Sequence, residues 1–238
     1  MFKINGKFLG ALFLSFFSMT FYAQKQFKVG IDAGYSYSYL NADVSNLVDS
    51  KYEGNGGFVT NVSFEWSFWK ELFVSTGVSY LNQNYKYERT NYRDQWYTKY
   101  DNQFVSMPLL VGGYLLNNPY TDKGVWIKVA GGVYAEYWAS MKREGQYPVF
   151  AELQPNGQFN YVTSSDKYDF KKNENQLKRF LMGLQAQAQV GYSFGEFDAY
   201  VGYNYLYGLT GIHDYNTASG SKSTIDSHLV TIGAAYKF

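Results

Sequence analysis

The chain contains no cysteine and only 4 prolines, and its charges nearly cancel. Without cysteine it can form no disulfide framework and no thiolate metal site, and it has no cysteine nucleophile. Its 21 basic and 20 acidic residues give a net charge of +1, which offers nothing to attract nucleic acid. The mean hydropathy is only -0.35, which reflects the scarcity of long aliphatic runs and excludes a bundle of membrane-spanning helices.

Aromatic residues and glycine are abundant instead. The 238 residues include 25 Tyr, 19 Phe, 5 Trp and 23 Gly. This aromatic content is far above what a soluble core needs, and it is typical of a strand-rich protein. The same composition excludes an intrinsically disordered chain.

The N-terminus has the order of a secretory signal peptide. Lys3 and Lys7 precede an apolar run over residues 8 to 17, and smaller residues then lead to Ala23. The apolar stretch is shorter than the roughly 20 residues that a spanning helix requires. We therefore predict a signal peptide over residues 1–23 and one domain over residues 24–238. No cysteine follows the leader, which excludes a lipid anchor at that position.

Apolar and polar residues alternate with a period of two from Phe27 onward, which predicts a strand with one apolar and one polar face. The same alternation returns in six further segments, and an eighth, near residues 104 to 116, is less regular because Leu110 competes with Leu109 for the apolar phase. The clear apolar faces are Val29, Ile31, Tyr35; Phe58, Val62, Phe64, Trp66; Val74, Val78, Tyr80; Val125, Ile127, Val129, Val133; Met182, Leu184, Val190; Val201, Tyr203, Tyr207; Val230, Ile232 and Tyr236.

The connections between these eight segments alternate in length. Three are tight, at residues 70–71, 117–124 and 195–196, and four are long, at residues 41–56, 84–102, 141–177 and 210–224. Short turns on one side and long loops on the other are typical of outer-membrane barrels. The prediction is an all-β fold, an eight-stranded antiparallel transmembrane β-barrel in the outer membrane, with short periplasmic turns and long extracellular loops.

In such a barrel the apolar residues face lipid and the polar residues face the lumen. Aromatic residues near the strand ends are then expected to form two interfacial girdles, which a soluble barrel with its apolar face inward would not need. The lower girdle is predicted from Trp66, Phe68, Trp69, Phe73, Trp126, Phe194, Phe197, Tyr236 and Phe238, and the upper one from Tyr37, Tyr39, Tyr80, Tyr137 and Tyr207.

An eight-stranded lumen is just wide enough for side chains or one small ligand, so a wide pore is disfavoured. The predicted lumen residues carry both signs of charge and many amides. Asp32 and Glu65 could be acid/base groups, but structural ion pairing is the favoured interpretation. The set is Lys28, Asp32, Glu65, Lys128, Glu136, Gln185, Gln187, Gln189, Asn204 and Lys237.

One strand carries a family resemblance. Residues 104 to 111, Phe-Val-Ser-Met-Pro-Leu-Leu-Val, resemble the aliphatic-Pro-Leu-Leu strand of the PorT-like outer-membrane β-barrel family of Bacteroidota, and the glycine-bearing residues 129 to 133 follow where that family places such a strand. The resemblance implies an outer-membrane barrel, with some family members serving the type IX secretion system. Because Pro108 cannot donate to a ladder, a bulge or other irregularity is expected there.

Two histidines could serve a hydrolase. His213 adjoins Asp214, and His228 follows Asp226 and Ser227. Adjacent strand residues point to opposite faces, so Ser227 cannot easily meet His228. We therefore predict no catalytic, cofactor-binding or metal-binding residues and no enzyme activity. Two alternatives stay open: a rim-active hydrolase acting on lipid A or peptides, and a narrow channel or small-ligand-binding barrel.

Two long connections are candidates for recognition surfaces, the first because of its composition and the second because of a turn motif. Residues 85 to 100 mix aromatic residues with both charges, and Pro155-Asn156-Gly157 predicts a hairpin above the membrane. Either both are strands continuing past the bilayer, or they form a docking face for another outer-membrane protein, a secreted substrate or a glycan. The favoured function is a non-catalytic structural or interaction component, in contact with outer-membrane lipid and with secretion-system or other surface proteins.

Overall fold

The computed structural model describes residues 26–43, 47–93, 95–153, 159–173, 176–213 and 222–238. The predicted leader, residues 1–23, lies outside these ranges. Ten strands follow in chain order: β1 (Phe27–Asn41), β2 (Ser50–Trp69), β3 (Leu72–Asn82), β4 (Tyr85–Arg89), β5 (Tyr97–Leu116), β6 (Gly124–Leu153), β7 (Phe159–Lys167), β8 (Phe180–Ser193), β9 (Phe197–Gly208) and β10 (Thr224–Lys237). Among these residues, no helix is long and apolar enough to cross a membrane.

The sheet closes on itself through the first and last strands. β1 pairs antiparallel with β10 from Lys28↔Lys237 to Asn41↔Thr224, and its other edge pairs with β2. β4 continues the position of β3 above a break at residues 83–84, and pairs like it with β2 and β5. β7 likewise lies above β8 along β6. The ten strands thus occupy eight positions, which confirms the predicted eight-stranded barrel.

The tight turns lie where they were predicted. β2 and β3 are joined by Lys70 and Glu71, and β8 and β9 by a turn in which Gly195 takes a φ of 115°, a backbone region that favours glycine. The long connections predicted at 84–102 and 141–177 are largely strand, which confirms the interpretation that strands continue past the bilayer there. β4, the upper half of β5, the upper half of β6 and β7 extend the wall beyond the bilayer. Their ladders with one another explain why these polar segments are ordered.

The outer wall is apolar along its lower and middle part, as predicted. Ile232, for example, is 70% exposed. On β5 the odd-numbered residues Met107, Leu109 and Val111 face outward, which decides between the two possible apolar faces of that strand. The girdle prediction is wrong for two residues, because Phe73 and Trp126 are fully buried in the lumen. Both stand one position out of phase with their lipid-facing neighbours Val74 and Val125, and a one-residue offset sends a strand side chain to the opposite face.

The lumen is polar only in its lower and middle part, although polar filling was predicted throughout. The upper part is packed with apolar side chains, which we call the apolar plug: Leu40, Val59, Leu81, Tyr85, Phe104, Tyr134, Trp138, Met141, Tyr168, Phe170, Leu181, Leu206, Ile212, Ile225 and Leu229. Sequence reasoning missed these residues. The alternation along the strands could have predicted them. Leu206 lies on the same strand face as the predicted lumen residue Asn204, and Trp138 lies on the same face as Glu136.

Pro108 interrupts one ladder without a bulge of its own. On the β3 side the pairing runs to Thr76↔Leu109 and resumes at Ser79↔Ser106, and Thr76 Oγ1 donates to the Pro108 carbonyl over 2.8 Å. On the β6 side Pro108 pairs in register with Tyr134, and the register shifts lie elsewhere, at Gln103/Phe104 and Tyr114/Leu116. The missing N–H accounts for the interruption, so the expected irregularity is present as a gap in the ladder.

Leu206→Ala should destabilise the barrel far more than Leu184→Ala. Leu206 is 2% exposed inside the apolar plug, whereas Leu184 is 46% exposed on the lipid-facing wall. Removing Leu206 leaves a cavity and should lower the free energy of unfolding by about 2–5 kcal/mol, while lipid chains fill the space left at position 184. Urea titration of the barrel in lipid vesicles measures both variants. Equal losses would mean that the upper lumen is not tightly packed.

Candidate functional site

The lower lumen holds a buried ion network centred on two carboxylates. Glu65 accepts hydrogen bonds from Lys128 and Tyr114 and lies 3.3 Å from Lys28 Nζ. Asp198 pairs with Lys237 Nζ at 2.7 Å and with Lys28 Nζ at 3.5 Å. All five charged side chains are buried. Alternating cations and carboxylates give each charge a partner of opposite sign, which is the condition for burying charges at all.

The β5–β6 turn closes the periplasmic end over this network. Tyr120, in the turn, donates its hydroxyl to Glu65 over 3.0 Å, and Lys237 Nζ donates to the Pro119 carbonyl over 2.6 Å. Asn118 ties the same turn to the Lys70 carbonyl at 2.8 Å. Phe73, Tyr114, Trp126 and Tyr200 pack around the ions as an aromatic layer. The network is thus covered from below by the turn and enclosed by rings.

The middle of the lumen is polar and contains a small cavity of about 50 Å³. Asp32 accepts from the Tyr200 hydroxyl at 2.9 Å and from the Asn61 amide. Gln185 and Gln187 both donate to Asn204 Oδ1, at 3.0 and 2.9 Å. Asp32 and Glu65 therefore have separate sets of partners, and each is occupied by structural hydrogen bonds. This arrangement supports the structural interpretation of the two carboxylates.

Glu65→Gln should destabilise the barrel strongly, because the uncharged amide leaves Lys28 and Lys128 without their shared carboxylate. Removing one partner of a buried ion pair costs about 3–5 kcal/mol of folding free energy. Urea titration in lipid vesicles measures the loss. Glu71→Gln, in the exposed β2–β3 turn, is the matched control and should change stability by less than about 0.5 kcal/mol. A Glu65→Gln variant as stable as the control would contradict the central role of this carboxylate.

The apolar plug separates the polar lumen from the extracellular side. Phe104 and Trp138 stack at 5.1 Å between ring centroids, and Phe170 packs edge-on against Trp138 at 5.5 Å. Beneath them Gln83 donates to Glu136 over 3.1 Å. An ion entering from either end would meet the β5–β6 turn or a packed aromatic layer without hydrogen-bond partners. The geometry disfavours the narrow-channel alternative.

Wild-type barrel reconstituted in planar bilayers should therefore show no stepwise single-channel conductance. The β5–β6 turn blocks one end and the apolar plug the other, so neither end admits hydrated ions. Electrical recording at both polarities measures this directly. The double variant Phe104→Ala with Trp138→Ala removes the stacked pair from the plug and is the comparison most able to produce current. Reproducible steps from the wild type would show that the lumen opens and would restore the channel hypothesis.

The two histidines do not assemble a hydrolytic site. His228 faces the outer wall, where its Nδ1 is 2.7 Å from the Tyr203 hydroxyl and its ring stacks on Tyr205 at 5.0 Å. Ser227 points into the barrel and lies 2.7 Å from Ser38 Oγ, so the predicted separation of Ser227 from His228 is confirmed. His213 lies at the extracellular mouth, and Asp214 is outside the described residues. Within the described ranges no group of three His, Asp or Glu is placed to hold a metal ion.

The two connections predicted as recognition surfaces meet at the extracellular rim. Trp96 precedes β5, and its ring packs edge-on against Phe150 of β6 at 6.2 Å, while Phe150 packs against Phe159 of β7 at 5.4 Å. Arg89 lies over Trp96 at 5.4 Å and Arg93 over Phe159 at 5.9 Å. We call these five residues the rim patch. The predicted hairpin is confirmed by the β6–β7 pairing, although its Pro155-Asn156-Gly157 tip lies outside the described residues.

Charged residues on the outer face show that the upper part of the wall is surrounded by water. Lys51 pairs with Glu53 and Glu88, and Lys86 also donates to Glu88. Burial alone would raise the pKa of Glu88, but hydrogen bonds from the two lysines bring it below its usual value. Hydrocarbon does not accommodate such a row of charges. β4 and the strand segments beside it therefore stand above the bilayer, and the rim patch lies higher still.

No protein-family model matches the chain, and no curated protein matches it. Solved structures of similar shape include Neisserial surface protein A, 14% identical over 89% of this chain and 97% of that one, with a TM-score of 0.47. Outer membrane protein OprG of Pseudomonas aeruginosa is 14% identical, with 91% and 98% covered and a TM-score of 0.49. The outer membrane protease OmpT of Escherichia coli is 12% identical, with 91% and 98% covered and a TM-score of 0.48. At such similarity no property of these proteins transfers to this chain.

Proposed function

We propose that this barrel is a non-catalytic interaction component of the outer membrane that binds another surface or secreted protein through its rim patch. The observation that carries the proposal is the exposed aromatic cluster that two separate connections build together. Phe150 is 61% exposed at a level where the wall is surrounded by water. Phe150 is held there by Trp96 and Phe159. Contact with lipid does not stabilise its exposed ring, because the ring lies above the hydrocarbon layer.

The composition of the rim patch is that of a protein-binding surface. Aromatic residues and arginine are enriched at the centres of interfaces, where a few of them carry most of the binding energy. Arg89 and Arg93 lie against aromatic rings, which limits their motion and lowers the entropy lost on binding. Strand ladders support the patch from below, since β4, β5, β6 and β7 are paired with one another. A rigid, partly apolar surface above the membrane suits a protein partner.

The sequence resemblance extends this proposal to a PorT-like barrel acting in type IX secretion or surface assembly. The Met-Pro-Leu-Leu segment lies in β5, where Met107 and Leu109 face lipid and Leu110 faces the lumen. Export by a cleaved signal peptide over residues 1–23 would bring the chain to the periplasm for insertion into the outer membrane. In this proposal the partner is a component or a cargo of the secretion machinery.

A tagged barrel purified gently from its native outer membrane should carry a stoichiometric protein partner. Phe150→Ala and Trp96→Ala should each weaken retention of that partner by tenfold or more, because each removes a potential interface anchor of about 2 kcal/mol. Pull-down with quantitative mass spectrometry measures the ratio of partner to barrel. Deleting residues 86 to 98 is unsuitable as a test, since β4 and the start of β5 belong to the wall.

Val162→Ala is the control, because Val162 is exposed on β7 of the same hairpin but outside the rim patch. It should retain the partner at the wild-type ratio. A wild-type barrel that purifies alone would argue against the interaction function. A partner retained equally by Phe150→Ala and the wild type would place the interface elsewhere.

A further inference from the structure

A cleft of about 180 Å³ lies at the extracellular mouth, inside the barrel wall. Its floor is the top of the apolar plug, with which it shares Leu40, Tyr85, Met141, Tyr168 and Ile212. It is separate from the rim patch and shares no residue with it. Strands and connections from around the barrel contribute to it: its lining is Leu40, Tyr52, Tyr85, Tyr100, Met141, Arg143, Tyr168, Gln176, Leu177, Ile212 and His213. We call it the mouth cleft.

Four tyrosines dominate the mouth cleft. Tyr85 and Tyr100 stack with their ring centroids 4.7 Å apart, and Tyr52 meets Tyr85 edge-on at 6.0 Å. Tyr168 packs edge-on against Phe170 of the plug at 5.0 Å. These contacts hold the rings in place before any ligand arrives. The cleft therefore presents preformed aromatic surfaces, as small-molecule sites commonly do.

Several polar groups of the cleft lack partners. Tyr85 is only 4% exposed, yet within the described part of the chain its hydroxyl makes no hydrogen bond, and neither do the hydroxyls of Tyr52 and Tyr100. Gln176 accepts from the Tyr168 hydroxyl at 2.9 Å, which fixes its oxygen and leaves its amide nitrogen as a donor. The hydroxyls of Tyr52, Tyr85 and Tyr100 reach solvent, so a ligand that displaces water from them must supply hydrogen bonds in its place.

The cleft carries no net positive charge to select an anion. Among the described residues that line the cleft, Arg143 is the only cation with a permanent charge, and it already donates two hydrogen bonds to Asp166, at 2.6 and 3.2 Å. Burial lowers the pKa of His213 and favours its neutral form. Burial also raises the pKa of Tyr52 and Tyr85, and that of Tyr100 to about 12, which keeps the phenols protonated. A purely apolar ligand fits no better, because it would leave the three hydroxyls without partners.

We propose that the mouth cleft binds a single neutral sugar ring. A pyranose has apolar C–H faces that can pack on tyrosine rings and hydroxyls that can exchange hydrogen bonds with Tyr52, Tyr85 and Tyr100. A volume of about 180 Å³ lies below the roughly 300–1,000 Å³ of pockets for larger ligands, which limits the occupant to one ring. The ring is either a free monosaccharide or the terminal residue of a surface glycan.

The test is saturation-transfer NMR on the full barrel in lipid nanodiscs, which avoids detergents with sugar headgroups. The probes are glucose, galactose and mannose, each as the free sugar and as the methyl glycoside. At least one should show transfer to its ring protons. A methyl glycoside that binds as well as the free sugar assigns the cleft to the end of a glycan chain, whereas binding of the free sugar alone assigns it to a monosaccharide.

Tyr85→Phe and Tyr100→Phe keep the rings and remove one hydroxyl each, so each should weaken binding about three- to tenfold, the effect of one hydrogen bond. Tyr37→Phe, on the lipid-facing wall, is the matched control and should bind like the wild type. The shift of folded barrel in unheated gels verifies that each variant folds. Absence of transfer from all six sugars overturns the proposal, as does transfer unchanged in both cleft variants. Binding of p-cresol or indole in place of every sugar would also overturn it and identify a pocket for aromatic side chains.

Discussion

Closure of the backbone ladder is the constraint on which the rest of this structure depends. Hydrocarbon offers no hydrogen-bond partner, so a sheet that spans a bilayer can leave no strand edge unpaired. The register from Lys28↔Lys237 to Asn41↔Thr224 joins the first strand to the last and removes the final edge. Once the ring is closed at eight positions, its inner width is set, and it is only as wide as side chains can fill. The filled lumen follows from the closure.

Filling a narrow lumen inverts the usual arrangement of a protein core. The apolar outer wall contacts lipid. The side chains inside the barrel are therefore stabilised by their packing against one another and by pairing of opposite charges. The lower half uses Glu65 and Asp198 between three lysines, and the upper half uses the apolar plug. The two halves of the lumen are closed in different ways at the two ends of the barrel. The ion network is shielded below by the β5–β6 turn, while the plug lies beneath the extracellular mouth, which is open to water.

The sequence was sufficient for the fold because the period of two is strong where one face meets lipid. It placed the tight turns, the lipid-facing residues and all ten predicted lumen residues. It failed for Phe73 and Trp126, because an aromatic residue near a strand end suits both a girdle and a lumen layer, and only its phase distinguishes them. The apolar plug was missed for a different reason: Leu206 and Trp138 are apolar residues on the inward face, where polar residues were expected.

The extracellular sites could not be predicted, because they depend on contacts between segments far apart in the chain. Composition marked residues 85 to 100 and the β6–β7 hairpin separately, but nothing in the sequence shows that Trp96 meets Phe150. The mouth cleft is even harder to predict from the sequence, since Tyr52, Tyr85 and Tyr168 come from three different connections. Tall strand extensions bring these segments together above the bilayer. The same paired wall that closes the barrel therefore also positions the rim patch and the tyrosine-lined mouth cleft.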